Sequence, residues 1–461
     1  MFKKILIANR GEIARRVIRA CRELGIETVA VYSEADADSP HLEEADERIC
    51  IGGPKSEESY LDMAAILQAA EQTEAKAVHP GYGFLSENAL FAEMCGQMKL
   101  TFIGPPPRVI RLMGDKATAR RTMAEAGLPL IPGSKGVVAD EREALEIARR
   151  IEFPVLLKAT AGGGGKGIRA CRDEASFARA FGEASIEAQK AFGNPSLYIE
   201  RLIEGGRHVE FQFMADALGN VVHLGERECS VQRSHQKLLE EAPSPAVDEA
   251  TRREMGEKVR RAVAAIGYVG AGTMELLRDR DGRLYFLEIN TRLQVEHPVT
   301  EMVTGLDLVK EQIRVAANAR LSWKQEEIRL RGHAIECRIN AEDPSAGFRP
   351  SPGIVTRFEP PSEVPGVRVR ADTHVRSGYR IPVYYDSMLC KLIVAADDRE
   401  KARRGMIDAL ERFHVEGVHT TIPAHLEVLR DSGFAAGEYD TGLIGRLLER
   451  EGIPKEPPPE R

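Results

Sequence analysis

"LYFLEINTRLQVEHP", residues 284–298, sets Glu288, Asn290, Arg292, Gln294 and Glu296 at every second position, with Ile289, Thr291, Leu293 and Val295 between them. A period of two with apolar residues between is what any half-buried strand with a wet outer face shows. Composition pulls the other way, because Glu-x-Asn presents oxygen donors two residues apart that could serve one hard cation. Reach sets a limit: at roughly 3.3 Å per residue, Glu288 to Glu296 would span roughly 26 Å fully extended. The five side chains cannot serve one atom unless the chain bends. The stretch therefore reads as a strand, "LYFLEIN", followed by a turning loop, "TRLQVEHP", its end marked by Pro298.

Just upstream, "GTMELL" carries Glu275 in a second strand, and "RDRDG" supplies the turn between the two. Hairpin pairing can bring Glu275 and Glu288 to one place. Two inward carboxylates repel unless cations sit between them, so with Asn290 they form a candidate two-magnesium site for nucleotide phosphates. A salt-bridged sheet face is the plainer alternative. "AGGGGKG" at 161–167 lets backbone N–H groups close over phosphate oxygens, with Lys166 adding charge, although a bare glycine run also suits a flexible linker. It is not a Walker A loop, since the spacing to Lys and Ser/Thr differs. Lys158, inside the apolar strand "VLLKAT", needs an anion. Lys116 alone would pass for a surface lysine.

A cationic group follows: His235 and Lys237 in "QRSHQKLLEE", Arg292, and Arg338 in "AIECRIN". Together they would suit a small anionic substrate and a negative transition state; singly, each also fits a surface ion pair. Glu296 could act as a general base beside Arg292. The residues alone lead to a magnesium-dependent ATP enzyme acting on an anion.

The chain has 461 residues, 43% hydrophobic and 29% charged, too long for one core and suited to two to four domains. A net charge of -7 argues against general nucleic-acid binding. The start, "MFKKILIANRGEIARRV", reads as a first strand, with no signal peptide or membrane span, so a cytoplasmic location is expected. Seven cysteines without a Cys-x-x-Cys pair fit reduced thiols; Cys229, among charged residues, is either reactive or a plain buried thiol.

The first hundred residues alternate strand and helix: "KKILIAN", "GEIARRVIRACRELG", "ETVAVYS", "YLDMAAILQAAEQT", "AKAVHP", "ENALFAEMCGQM" and "LTFIG". That order predicts a parallel α/β domain, and the first turn lacks the Gly-x-Gly-x-x-Gly of a dinucleotide site. After "GPPP" two short helices carry Lys116. Between "PGSKG" and about residue 204 a small unit with a glycine-rich tip looks like a lid. Antiparallel strands follow around "ALGN", then a mixed region from about 331 to 446.

"KILIANRGEIA", "HPGYGFLSEN", "FIGP", "GDK", "GGGGKG", "ERECSVQRSHQK", "NTRLQVEHPVTE", "GHAIECRINAE" and "YDSMLCKLI" together resemble the biotin carboxylases of the ATP-grasp superfamily, in the family's order from about residue 3 to 446. Two departures are mild: Ser234 stands where many relatives carry a second basic residue, and "EGGRHVE" has an extra glycine. The resemblance implies an α/β and α+β ATP-grasp fold. Its parts would be an N-terminal parallel α/β (Rossmann-like) domain at 1–113, an ATP-grasp region at 114–330 with a mobile lid at about 132–204, a C-terminal domain at 331–446, and a disordered tail at 447–461.

It also implies chemistry in two stages, in which ATP phosphorylates bicarbonate to carboxyphosphate and CO2 is then delivered to N1′ of biotin on a carrier protein. Lys116, Lys158, Gly164, Gly165, Glu200, Arg201, Leu202, Ile203, His208, Gln232 and His235 would hold ATP, with Glu275 and Glu288 against its phosphates. Glu275, Glu288 and Asn290 would hold two Mg2+ or Mn2+. Lys237, Arg292, Gln294 and the Val295 backbone would hold bicarbonate and biotin, Glu296 would deprotonate bicarbonate, and Arg338 would stabilise the biotin enolate.

No Met-Lys-Met after a small residue occurs; the nearest string, "QMKL" at 97–100, leads into the strand of "LTFIG" and is read as coincidence. The biotin carboxyl carrier protein and the carboxyltransferase subunits are therefore expected on separate chains, and a homodimer is expected from the family. Acetyl-CoA carboxylase of fatty acid synthesis is the first expectation for the pathway, with propionyl-CoA or pyruvate carboxylase as the alternative. A different ATP-grasp ligase of the carbamoyl-phosphate or purine type would lack "HPGYGFLSEN" and "RLQVEHP". A non-catalytic nucleotide-binding regulator would have lost residues among Glu275, Glu288, Arg292, Glu296 and Arg338, and none is lost.

Overall fold

A computed structural model describes residues 1–138, 140–159 and 168–453. The hairpin read from the sequence forms: strands Gly270–Arg278 and Leu284–Asn290 pair antiparallel around a turn in which Asp279 N–H donates to Arg283 O at 2.9 Å and Gly282 takes a φ of +89°. A positive φ is open to glycine without strain, so "DG" fixes this turn and through it the register. The strand ends at Asn290 as expected. "TRLQVEHP" then bends, but its last two residues open a helix, His297–Thr304, with Pro298 in the first turn where its missing N–H costs nothing.

This hairpin is one edge of an eight-stranded sheet. Its order is Leu284–Asn290, Gly270–Arg278, Arg207–Ala215, Val221–Arg233, Gln236–Ala242, His333–Asn340, Met388–Ala396 and Arg368–Thr373. Neighbours are antiparallel throughout. Leu239 sits opposite Cys337 and Glu241 opposite Ile335, so one sheet crosses the division placed at 330/331. Glu241 pins that crossing. Fully buried, it accepts from His333 Nε2 at 2.5 Å and from Arg399 Nε at 2.7 Å, and Tyr439 donates to it as well. Burial alone would push its carboxyl up, but His333 and Arg399 bring it down to about 2. A folded-state value below the ordinary 4.5 means stabilisation that is present above pH 4.5 and lost as the pH falls toward 2. Glu241→Gln leaves the partly buried Arg399 guanidinium without its carboxylate and weakens the bonds from His333 and Tyr439, at an expected cost of about 3–5 kcal/mol at pH 7. Urea unfolding of both proteins checks this, and the gap should narrow below pH 4.5.

The N-terminal region is a five-stranded parallel sheet in the order Glu47–Cys50, Glu27–Tyr32, Lys4–Ile7, Ala77–His79, Thr101–Phe102. Ile13, Val17, Ile18 and Cys21 of helix Gly11–Glu23 are buried against it, the stripe the 3.6-residue period predicts. Strand Glu47–Cys50 has no counterpart in the sequence reading, because it is a mostly exposed edge whose "ERIC" lacks an apolar signature. Among the described residues between 132 and 204, three strands form a sheet of their own. Strand Val155–Ala159 runs between Ile168–Cys171 and Leu197–Arg201, and helices Glu141–Ile151 and Phe177–Phe192 cover a separate core.

The tail expected at 447–461 needs correction. Helix Leu443–Arg450 continues through its start, because Leu447 and Leu448 join the C-terminal core and their burial outweighs the charged residues around them. All seven cysteines are free thiols, six of them buried. Among the described residues no helix is long and apolar enough to cross a membrane.

Candidate active site

Strand pairing assembles the site. Glu275 lies opposite Glu288 on one side and opposite Glu210 of Arg207–Ala215 on the other. One oxygen of Glu275 accepts from Asn290 Nδ2 at 2.8 Å, Lys237 Nζ at 3.0 Å and Gln294 Nε2 at 3.2 Å; its other oxygen is 3.2 Å from His208 Nε2. Burial alone would push Glu275 up, yet Lys237 and His208 hold it well below the carboxylate range. Burial works equally against a charged His208, and Glu275 still keeps that ring above its ordinary value. Gln232 joins His208 Nδ1 at 2.7 Å. Glu288 is different: it opens to the cleft, and the surrounding protein and Glu275 push it up while Lys116 draws it down. Two carboxylates in register, one pushed up by its neighbour's charge, are a donor set that fits a divalent cation.

Glu296 is the centre of the second half. Entirely buried at the head of helix His297–Thr304, it accepts from Lys237 Nζ at 2.6 Å and from Arg338 at 2.8 Å. Burial opposes its charge, but Lys237, Arg338 and Arg227 overcome that and hold it far below 4.5, so it is an anion at neutral pH. A carboxylate kept ionised can take a proton. Arg292 meets Glu296 only through the field; its own bonds run to Glu87 at 2.8 Å, Asn290 at 3.1 Å and Gln294 at 3.1 Å. Hence Asn290, Arg292 and Gln294 stay linked after the strand has ended. The alternation quoted first is pleat up to Asn290 and hydrogen bonding beyond it.

His208, His235, Lys237, Glu275, Glu288, Asn290, Arg292, Gln294, Val295 and Arg338 line one cleft of about 900 Å³. His235 reaches it from a tight turn in which Ser234 and His235 both take positive φ. Lys116 opens helix Lys116–Glu125 in an adjoining recess shared with Glu288 and Asn290. Lys158, Glu200, Arg201, Leu202 and Ile203 belong to the small unit or its edge, off the cleft lining. Lys158, read as needing an anion, has one here in Glu200, which Arg120 also holds. Arg201 reaches Tyr285 at 3.4 Å, and Leu202 N–H donates to Pro154 O at 2.8 Å. Gly164 and Gly165 lie outside the described residues. Cys229 is a plain buried thiol, pushed up by burial and by Glu210.

Sequence reasoning missed Glu210, Arg227, Glu87 and Glu240. Glu210 accepts from both Lys237 at 2.6 Å and the fully buried Arg227 at 2.7 Å, and Glu240 pairs with Arg338. The available signal was a charge inside an apolar strand, the one that singled out Lys158: "RHVEFQFMA" holds Glu210 in that way.

Residues 1–110 match the family described as "Biotin carboxylase, N-terminal domain", 115–324 the "Carbamoyl-phosphate synthase L chain, ATP binding domain", and 336–446 the "Biotin carboxylase C-terminal domain". A biotin carboxylase of Nostoc sp. is 54% identical over 97% of this chain and 99% of its own. Biotin carboxylase 1 of Bacillus subtilis is 54% identical over 96% and 98%. Among solved structures, the biotin carboxylase domain dimer of Hydrogenobacter thermophilus 2-oxoglutarate carboxylase, which holds MgADP, ADP and bicarbonate, is 50% identical with a TM-score of 0.90 over 98% of each chain. With matches in all three regions and half of its residues shared along its whole length, the chain belongs to the biotin carboxylase family of ATP-dependent ligases.

Proposed function

We propose that this chain uses ATP and bicarbonate to carboxylate biotin carried on a separate carrier protein, through carboxyphosphate. The observation that carries the reading is Glu296, a fully buried carboxylate held ionised between Lys237 and Arg338, both of which line the same cleft as Glu275 and Glu288. Bicarbonate would lie against Lys237, Arg292, Gln294 and the Val295 backbone, which places its hydroxyl beside Glu296. Glu296 takes that proton, and the carbonate oxygen attacks the terminal phosphorus of ATP, with ADP leaving. Carboxyphosphate then splits into CO2 and phosphate, the phosphate takes the N1′ proton of biotin, and N1′ bonds to CO2 while Arg338, already facing Glu296, stabilises the biotin enolate oxygen. Lys116, Lys158, Gly164, Gly165, Glu200 to Ile203, His208, Gln232 and His235 hold the nucleotide. Glu275, Glu288 and Asn290 would hold two divalent cations, Mg2+ or Mn2+, which supply neutralising charge to the phosphates.

The acyl acceptor is set by the carboxyltransferase partner rather than by this site. The first half-reaction of acetyl-CoA carboxylation, in the cytoplasm and with a homodimeric carboxylase, is the assignment we favour. The Hydrogenobacter relative serves a 2-oxoglutarate carboxylase, so a different acceptor is the alternative. The test is an ATP hydrolysis assay on the purified protein. Turnover is expected only with magnesium, bicarbonate and free biotin or biotinyl carrier together; turnover indifferent to biotin would sink the reading.

A further inference from the structure

Three of the motifs that carry the resemblance, "KILIANRGEIA", "HPGYGFLSEN" and "YDSMLCKLI", supply no residue to the roles above. They meet at one buried cation. Lys391 is fully buried in strand Met388–Ala396, directly opposite Arg338. Its ammonium donates to the carbonyl oxygen of Val295 at 3.0 Å and lies 3.1 Å from a carboxylate oxygen of Glu12. Tyr82 donates its hydroxyl to the other oxygen of Glu12, and its ring centroid is 5.8 Å from the Lys391 nitrogen. Glu12 comes from helix Gly11–Glu23, Tyr82 from the loop after strand Ala77–His79, and Lys391 from the far side of the large sheet.

The carbonyl that Lys391 grips belongs to the peptide joining Val295 to Glu296. Fixing that oxygen fixes the peptide plane, and with it the direction in which the Glu296 side chain departs. A lysine buried merely to neutralise Glu12 would have no reason to spend a donor on this one carbonyl, and a charge-assisted bond of this kind is among the stronger ones available. We propose that Lys391, anchored by Glu12 and Tyr82, is a positioning residue that holds Glu296 between Lys237 and Arg338. The inference rests on the reading of Glu296 as the base.

Lys391→Met alone leaves Glu12 buried and unpaired, and such a protein can simply fail to fold. The decisive variant is Lys391→Met with Glu12→Gln, which removes both charges at nearly constant volume. Its melting temperature and its KM for ATP should stay close to wild type. Its bicarbonate- and biotin-dependent kcat should fall about 10- to 100-fold, as expected of a small misplacement of a catalytic group. The acid limb of its pH profile should move upward as Glu296 loosens from its cations. Wild-type kcat in the double variant overturns the proposal, because Lys391 then only balances Glu12. A loss of ATP binding in step with turnover overturns it too, by showing a general structural role. A wild-type protein without biotin-dependent turnover overturns instead the functional reading beneath it.

Discussion

Glu296→Ala abolishes bicarbonate-dependent ATP turnover and leaves ATP binding nearly intact. The two effects part because Glu296 touches Lys237 and Arg338 and none of the small unit, where Lys158 and Glu200 sit. A positioned general base contributes about 10²- to 10⁴-fold, so the residual rate should fall to that fraction or to background. Glu296→Gln separates charge from shape: it fills the same space, cannot take the proton, and is expected to be as slow. Calorimetric titration with a nonhydrolysable ATP analogue, beside steady-state turnover, measures both quantities. Lost nucleotide binding would show that Glu296 has been given the wrong task.

Lys237→Met should act on stability and on catalysis at once. One ammonium lies within 3.0 Å of Glu210, Glu275 and Glu296, and all three carboxylates are buried. Removing it leaves Arg227 to balance Glu210, Arg338 to balance Glu296 and only His208 to balance Glu275, at an expected cost of about 3–5 kcal/mol in urea unfolding at neutral pH. Glu275 and Glu296 both sit below the ordinary 4.5 in the folded protein, so what they contribute is present above that pH and lost as the pH falls through their folded values. The gap between variant and wild type should therefore be full at pH 7 to 8 and shrink below 4.5. Magnesium should return part of it, since a cation bound only by the folded state stabilises by mass action. Turnover should fail even at high bicarbonate. A variant as stable as wild type, or one saturated by ordinary bicarbonate, would remove Lys237 from the centre of the site.

How far the sequence could be read depended on whether a residue's partner was local. Glu275 and Glu288 were legible because "RDRDG" closes a hairpin of fixed register between them. The stripe of Ile13, Val17 and Ile18 was legible for the same reason, one helix face being a local property. Glu210 and Arg227 were not, although they face each other across the hairpin around "ALGN", since a bulge between His223 and Glu226 shifts its register and Thr300 and Thr273 close around the guanidinium from elsewhere in the chain. Glu87 was quoted within a motif but gained a meaning only when the loop after residue 79 came to rest against Arg292, 205 positions along the chain. The charged edge strand Glu47–Cys50 and the helix running into the supposed tail show the same limit from the other side. Pairing and core contact overrode local composition in both.

The shared sheet has a consequence for the protein's birth on the ribosome. Strand Gln236–Ala242 finds its neighbour His333–Asn340 about a hundred residues later in the chain. At roughly 5–20 residues per second, that gap leaves one hydrogen-bonding edge, with Leu238 and Leu239 on it, unpaired for roughly 5–20 s of synthesis. Nascent chains crowded on one message therefore share a common adhesive segment, and the burden of keeping them apart falls on whatever binds that strand first.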